Sequence, residues 1–82
     1  MNNELEKIVE LDWEYTETKG ELITGSGDFD GSVFCQEDGM YSAYVLDVNG
    51  VTLLEIDGIE CKRHAKLIVE MAIRILNRES RW

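Results

Sequence analysis

The sequence predicts an α+β fold, in which an antiparallel sheet of four to five strands in meander order packs on one long C-terminal α-helix. Between residues 13 and 57, short runs of apolar and β-branched side chains are separated by glycine-containing turns, which is typical of antiparallel strands. Residues 58–78 instead repeat apolar side chains at helical spacing. The 82 residues contain no linker or repeat, so residues 1–82 should form a single domain.

The N-terminal residues predict a short helix. Asn3 can cap it, and the apolar side chains that follow recur at helical spacing, so the helix should cover residues 4–11. A strand that begins near Ile8 is the alternative.

Two strands and a bend are predicted next. Residues 13–17 alternate as a strand, Lys19-Gly20 forms a turn, and residues 21–26 return as the second strand. Glycines at positions 25, 27 and 31 weaken strand pairing, so residues 25–31 should form a bend or bulge.

Two hairpin signals define the centre of the chain. Asp38-Gly39 and Asn49-Gly50 are both typical of two-residue turns, because the turn requires positive φ angles. They predict strands over residues 32–37, 40–48 and 51–57.

This register predicts two apolar sheet faces. If Val48 faces Val51, then Val45 faces Leu54 and Ala43 faces Ile56. One face should carry Phe34, Ala43, Val45, Leu54 and Ile56, and the helix should cover it. The other face should form a homodimer or partner interface, because a monomer rarely exposes such a surface. It would consist of Tyr44, Leu46, Val48, Val51 and Leu53.

The C-terminal helix is predicted over residues 58–78. Asp57 and Glu60 have the spacing of a capping box. The apolar arc covers more than half of the helix, and it contains Cys61 and a buried or half-buried His64. Cys35 and Cys61 are expected to be reduced core thiols. The polar stripe contains Arg63, Lys66, Glu70, Arg74 and Asn77.

Charge is distributed unevenly along the chain. The net charge is −9, and residues 1–60 carry 15 acids against two bases. Residues 61–82 carry six bases against two acids. An acidic surface repels phosphate, so we expect no direct binding of nucleic acid or of a membrane surface. It would instead suit a partner protein that has a basic surface or groove.

The acid-rich segment around residues 27–39 does not fit a metal site or an active site. A calcium loop that starts at Asp28 would have Val33 in place of the required glycine and Gly39 in place of the final glutamate. A zinc site would have three candidate ligands, Cys35, Cys61 and His64. No nucleophile or phosphate-binding motif occurs. We therefore expect no enzyme activity, no metal and no cofactor.

The acids are instead expected to contact a partner. The candidate partner-binding residues are Glu14, Glu17, Asp28, Asp30, Glu37 and Asp38. No apolar run is long enough for a membrane span, and the first ten residues do not read as a secretion signal. The expected location is the cytoplasm, which would be that of the host cell if a phage encodes the protein.

Two resemblances bear on function. The chain resembles a loose group of small phage- and prophage-encoded proteins with a β-meander and a closing helix, and the matching features are Trp13, Asp38-Gly39, Tyr41, Asn49-Gly50 and the helix with Ala65 and Ala72. Some members of such groups inhibit host enzymes, including anti-CRISPR and anti-restriction types. That resemblance implies an inhibitor of a nucleic-acid-handling defence enzyme. The alternative is a structural or assembly protein that acts through its apolar sheet face.

The second resemblance concerns the central hairpin. Its sequence from Glu37 to Asp47 is similar to the hairpin of HicB-type antitoxins, which implies a protein that neutralises a toxin. The proline usual near the second turn of that family is replaced by Asn49-Gly50.

Overall fold

The sheet is a five-stranded antiparallel meander covered by one helix. The structure is a computed structural model and describes residues 11–16 and 20–79. The strands pair in sequence order, and the predicted α+β fold is confirmed. Its elements are β1 (Glu14–Thr16), β2 (Glu21–Ser26), β3 (Phe29–Cys35), β4 (Tyr41–Asp47), β5 (Thr52–Ile59) and α1 (Lys62–Glu79). The helix predicted over residues 4–11 lies outside the described residues, except for Leu11.

The core lies between α1 and the centre of the sheet. Helix α1 packs mainly on β3 and β4 and touches β2 and β5 less. The buried apolar side chains are Val33, Ala43, Val45, Ile59, Ala65, Val69 and Ile73. Gly31 lies directly beneath the helix, because a Cβ atom there would collide with the Val69 side chain and approach the Ile73 side chain to 3.3 Å. The glycine therefore sets how closely α1 approaches β3.

Both predicted two-residue hairpins are in fact longer turns. The Gln36 N–H donates to the Met40 carbonyl, which leaves three residues in the first turn, and Gly39 there has a φ of 87°. The Asp47 N–H donates to the Val51 carbonyl in the same way, and Gly50 has a φ of 80°. Three-residue turns with glycine in the last, left-handed position are a common alternative to two-residue turns.

The extra turn residue moves Phe34 to the other face of the sheet. Phe34 pairs with Ser42 rather than Ala43, so it lies on the face away from α1. A one-residue change of register inverts every side chain of a strand, and the predicted position of Phe34 was therefore wrong. Cys35 is shifted by the same extra residue, and it pairs with Tyr41.

A bulge restores the predicted register between β4 and β5. Next to the turn, Leu46 pairs with Thr52 and not with Leu53. One strand position later the register shifts, and Val45 pairs with Leu54 as predicted. The pairing of Ala43 with Ile56 is likewise confirmed.

The bend predicted over residues 25–31 is also corrected. Strands β2 and β3 pair through their last and first residues, Ser26 and Phe29, and a turn at Gly27-Asp28 joins them. The glycines at 25 and 31 lie inside the strands. The close approach of α1 explains the glycine at position 31.

Helix α1 begins four residues later than predicted. Asp57 lies in β5 and accepts a hydrogen bond of 2.7 Å from the Ser42 hydroxyl, so it cannot take part in a capping box. Cys61 stands just before the helix, and the backbone N–H groups of Arg63 and His64 donate to its sulfur. The thiol therefore takes the capping position.

Glu70 is buried rather than part of the polar stripe. The residue is 1 % exposed, and its carboxylate accepts hydrogen bonds from the Trp13 indole at 2.6 Å and the Leu11 N–H at 3.3 Å. The Lys66 ammonium lies 5.5 Å from the Trp13 ring. These contacts attach the segment before β1 to the helix. By contrast Cys35, Cys61 and His64 are exposed, and their predicted places in the core were wrong.

Candidate functional site

The sheet surface away from α1, called the outer face below, is the candidate interaction site. Its residues follow from the strand register, because directly paired residues share a face. It carries both carboxylates and large apolar side chains. Its main members are Glu14, Ile23, Asp30, Ser32, Phe34, Tyr44, Leu46 and Glu55.

Two aromatic rings lie at the centre of the outer face. Phe34 and Tyr44 meet edge to face, with ring centroids 5.6 Å apart and an interplanar angle of 86°. Both side chains are half-buried. The neighbouring Ser42 is fully buried; its hydroxyl accepts from the Gln36 amide and donates to Asp57. These hydrogen bonds hold β4 to β5 and to the β3–β4 turn next to the rings. Part of each ring remains accessible to a partner.

One group of acids gathers beside β1. Asp12, Glu14 and Asp30 line a shallow depression of about 480 Å³ whose floor includes Ile23. They meet because Glu14 pairs with Ile23, which in turn pairs with Ser32, two residues after Asp30. Asp28 lies nearby in the β2–β3 turn and is exposed.

A second group lies at the opposite end of β3. Glu37 and Asp38 line a depression of about 600 Å³ together with the Phe34 and Tyr44 side chains. The Asp38 carboxylate accepts a hydrogen bond of 2.9 Å from the Met40 N–H and so also stabilises the turn. Because a strand rises about 3.3 Å per residue, roughly 20 Å of β3 separates the two groups.

The predicted acidic contact is thus divided between two ends of one sheet. Glu14, Asp28 and Asp30 lie at one end, and Glu37 and Asp38 lie at the other. Glu17 is outside the described residues. Sequence reasoning missed Glu55, which pairs with Tyr44, and Asp12. In the predicted register, Leu54 and Ile56 face the helix. Glu55 lies between them and therefore points to the other face, so the alternation of side chains along the strand could have identified it.

The predicted apolar interface is concentrated at the end of the β4–β5 hairpin. Tyr44 and Leu46 are half-buried on the outer face. Val48 is the first residue of the turn and Val51 follows the turn; they are 70 % and 53 % exposed, and Leu53 at the bulge is 44 % exposed. The Asp47 carboxylate accepts hydrogen bonds from the N–H groups of Asn49 and Val51, so this apolar end is ordered.

In the described residues, acidic side chains lie mainly in the strands and their turns, and basic side chains lie in helix α1. The strand layer, residues 11–16 and 20–61, holds eleven acids and no lysine or arginine. Helix α1 holds five bases and two acids, of which Glu70 is buried. The acids of the strand layer are Asp12, Glu14, Glu21, Asp28, Asp30, Glu37, Asp38, Asp47, Glu55, Asp57 and Glu60. The described part of the strand layer therefore has a negative electrostatic potential.

Groups with other chemistry are sparse. The described residues contain no group of three or more His, Cys, Asp or Glu side chains that could hold a metal ion. The backbone N–H groups of His64 and Arg63 lower the pKa of the exposed Cys61 thiol. Within the described residues, no helix is long and apolar enough to span a membrane.

The chain was compared with models of protein families, with curated proteins and with solved structures, and none of them matches it.

Proposed function

We propose that this protein is a small acidic interaction protein of the phage type. It binds a host protein through the outer face and inhibits it by occupying a basic surface that the host protein uses for nucleic acid. The partner is a defence enzyme of the kind that anti-CRISPR or anti-restriction proteins inhibit. The protein itself acts without catalysis or cofactor, in the cytoplasm of the host.

One observation carries this proposal: the described strand layer has eleven acids and no base. Carboxylates at both ends of β3 lie roughly 20 Å apart, which is comparable to the spacing of several phosphates along a nucleic-acid strand. Between them, Phe34 and Tyr44 offer ring surface on which a guanidinium group can stack. A face of this kind attracts arginine- and lysine-rich grooves and repels nucleic acid itself.

The first experiment identifies the partner and tests its binding mode. Tagged protein is passed through nuclease-treated bacterial lysate, and the retained protein is purified. We expect a DNA- or RNA-binding enzyme whose retention falls as salt rises and is reversed by a competing nucleic acid. Retention that resists both salt and nucleic acid would contradict the proposal.

Charge reversal locates the contact. Asp30→Lys should weaken binding of the purified partner roughly fivefold or more at low salt, because it replaces an attraction with a repulsion. Glu79→Lys makes the same change in net charge on the exposed end of α1 and should leave the affinity nearly unchanged. Equal losses in the two variants would mean that net charge alone matters, and the outer face would no longer be the site.

A second candidate function, assembly through apolar contact, rests on the exposed hairpin end. Val48, Val51 and Leu53 are 70 %, 53 % and 44 % exposed and lie together at this end of the hairpin. They suit a homodimer or an assembly partner, and this surface also fits the antitoxin-like alternative. If assembly is the function, Leu46→Asp should abolish a dimer in light scattering while Asp30→Lys leaves it intact.

A further inference from the structure

Strand β5 forms the longer edge of the sheet. It spans eight residues and has no neighbouring strand on its far side among the described residues, whereas the described part of β1 spans three. An edge strand presents a row of backbone N–H and C=O groups that can pair with another chain. The β5 edge therefore offers more pairing groups than the β1 edge.

The helix leaves apolar side chains exposed above this edge. Lys66, Glu70 and Asn77 contact Trp13 and Ser26, so this side of α1 faces β1 and β2. At 100° per residue, Ile75 lies on the opposite side of the helix, toward β5, whereas Met71 lies between that side and the side that faces solvent. Met71 and Ile75 are 54 % and 53 % exposed. Apolar surface is thus left uncovered along the side of the molecule that β5 borders.

The charges on β5 decide what can pair with it. Glu55 pairs with Tyr44, and Asp57 is bonded to Ser42, so both carboxylates lie on the outer-face side of β5. If two copies of the chain paired antiparallel through these residues, carboxylates would stand opposite carboxylates, which is destabilising. Bulges on either side limit regular pairing to the segment from Leu54 to Ile56. A second copy is therefore a poor occupant, and a strand with lysine or arginine at alternate positions is a good one.

We propose that the β5 edge binds an extended basic segment of the partner by strand addition. A lysine or arginine side chain of that segment lies opposite Glu55, and a second one lies near Asp57, just beyond the regular pairing. Its intervening apolar side chains lie on the helix side, near Ile75. This mode combines main-chain hydrogen bonds with side-chain selection on alternate positions. The strand-addition proposal depends on the proposed function in one respect, which is that the partner is basic.

The test uses a defined peptide and the full-length protein. The probe is an acetylated, amidated eight-residue peptide in which valine and lysine alternate, and amide hydrogen exchange is followed by NMR at low salt. We expect slower exchange in the regular segment of β5 from Leu54 to Ile56 and little change in β1 and β2. A peptide of the same composition with its valines and lysines in two blocks should bind weakly, because it cannot match the alternation of the edge.

Matched charge reversals provide the control. Glu55→Lys should weaken binding of the alternating peptide roughly tenfold, because attraction becomes repulsion at a paired position. Glu60→Lys changes net charge equally just beyond β5 and should have little effect. The Glu55→Lys variant should also bind a peptide in which valine and glutamate alternate more tightly than the unchanged protein does, because the new lysine attracts glutamate. Misfolding cannot produce such a gain.

Three results would overturn the strand-addition proposal: unchanged exchange in β5, equal binding of the block peptide, or equal losses in the two variants. The proposed function fails separately, in the lysate experiment and the Asp30→Lys comparison. Peptide binding at β5 without a nucleic-acid-binding partner would support the edge and reject the inhibitor. If partner binding depends on Asp30 while β5 stays unprotected, the inhibitor proposal stands and strand addition is rejected.

Discussion

At the scale of single residues, Cys61 shows how a local environment changes chemistry. Its sulfur stands before the first turn of α1 and receives backbone N–H groups from Arg63 and His64. Donors of this kind stabilise the thiolate more than the thiol, so they lower the pKa of Cys61. The neighbouring Arg63 guanidinium acts in the same direction. The sequence predicted a core thiol here because the helix was expected to begin earlier.

The Cys61 thiol should react with an alkylating agent at lower pH than an ordinary thiol does. Since the pKa is lowered, the thiolate persists to lower pH, and alkylation by iodoacetamide should reach its half-maximal rate at a lower pH than for N-acetylcysteine amide. Mass spectrometry of the Cys35→Ser variant measures this rate for Cys61 alone. A Cys61 profile that coincides with that of the small thiol would contradict the proposed capping role.

At the scale of elements, the contact between β3 and α1 depends on Gly31. The helix packs so closely here that an added Cβ atom would meet the Val69 side chain. Sequence patterning treats a glycine in a strand as a weakness, and it predicted a bend. The tertiary contact shows that the missing side chain is what allows α1 to lie on the sheet.

Gly31→Ala should therefore destabilise the protein by about 1–3 kcal/mol, because the extra methyl group overpacks a buried contact. Urea denaturation measures this cost. Gly25→Ala is the matched control: its Cβ atom would meet only the movable carboxylate of Asp30 and the Phe29 carbonyl oxygen at 3.5 Å, so its cost should be smaller. If Val69→Ala does not reduce the cost of Gly31→Ala in the double variant, the steric explanation is wrong.

At the scale of the whole molecule, charge is separated between two layers. Five bases lie on α1, and eleven acids lie in the described strand layer. Repulsion among the acids destabilises the folded state to some degree, since the net charge is −9. Under the proposed function, this repulsion is the energetic cost of a surface that serves binding.

Neutralising outer acids should therefore stabilise the protein while it weakens partner binding. The triple variant Glu14→Gln, Asp30→Asn, Glu37→Gln should gain about 0.5–2 kcal/mol in the free energy of unfolding at low salt. Thermal unfolding measures the gain, which should shrink as added salt screens the repulsion. A loss of stability would show that these carboxylates support the fold, and it would remove the main argument for a binding role.

The sequence by itself determined the α+β fold, the order of the strands and the long C-terminal helix, because these depend on local periodicity and on glycine at the turns. It also determined the acidity of the strand layer. The faces on which Phe34 and Cys35 lie depended on the length of one turn, and a single residue inverted them. The burial of Glu70 depended on its contact with Trp13, 57 residues away in the chain. Local patterns do not encode such distances, so only the tertiary structure decided which acids meet and which apolar side chains stay exposed.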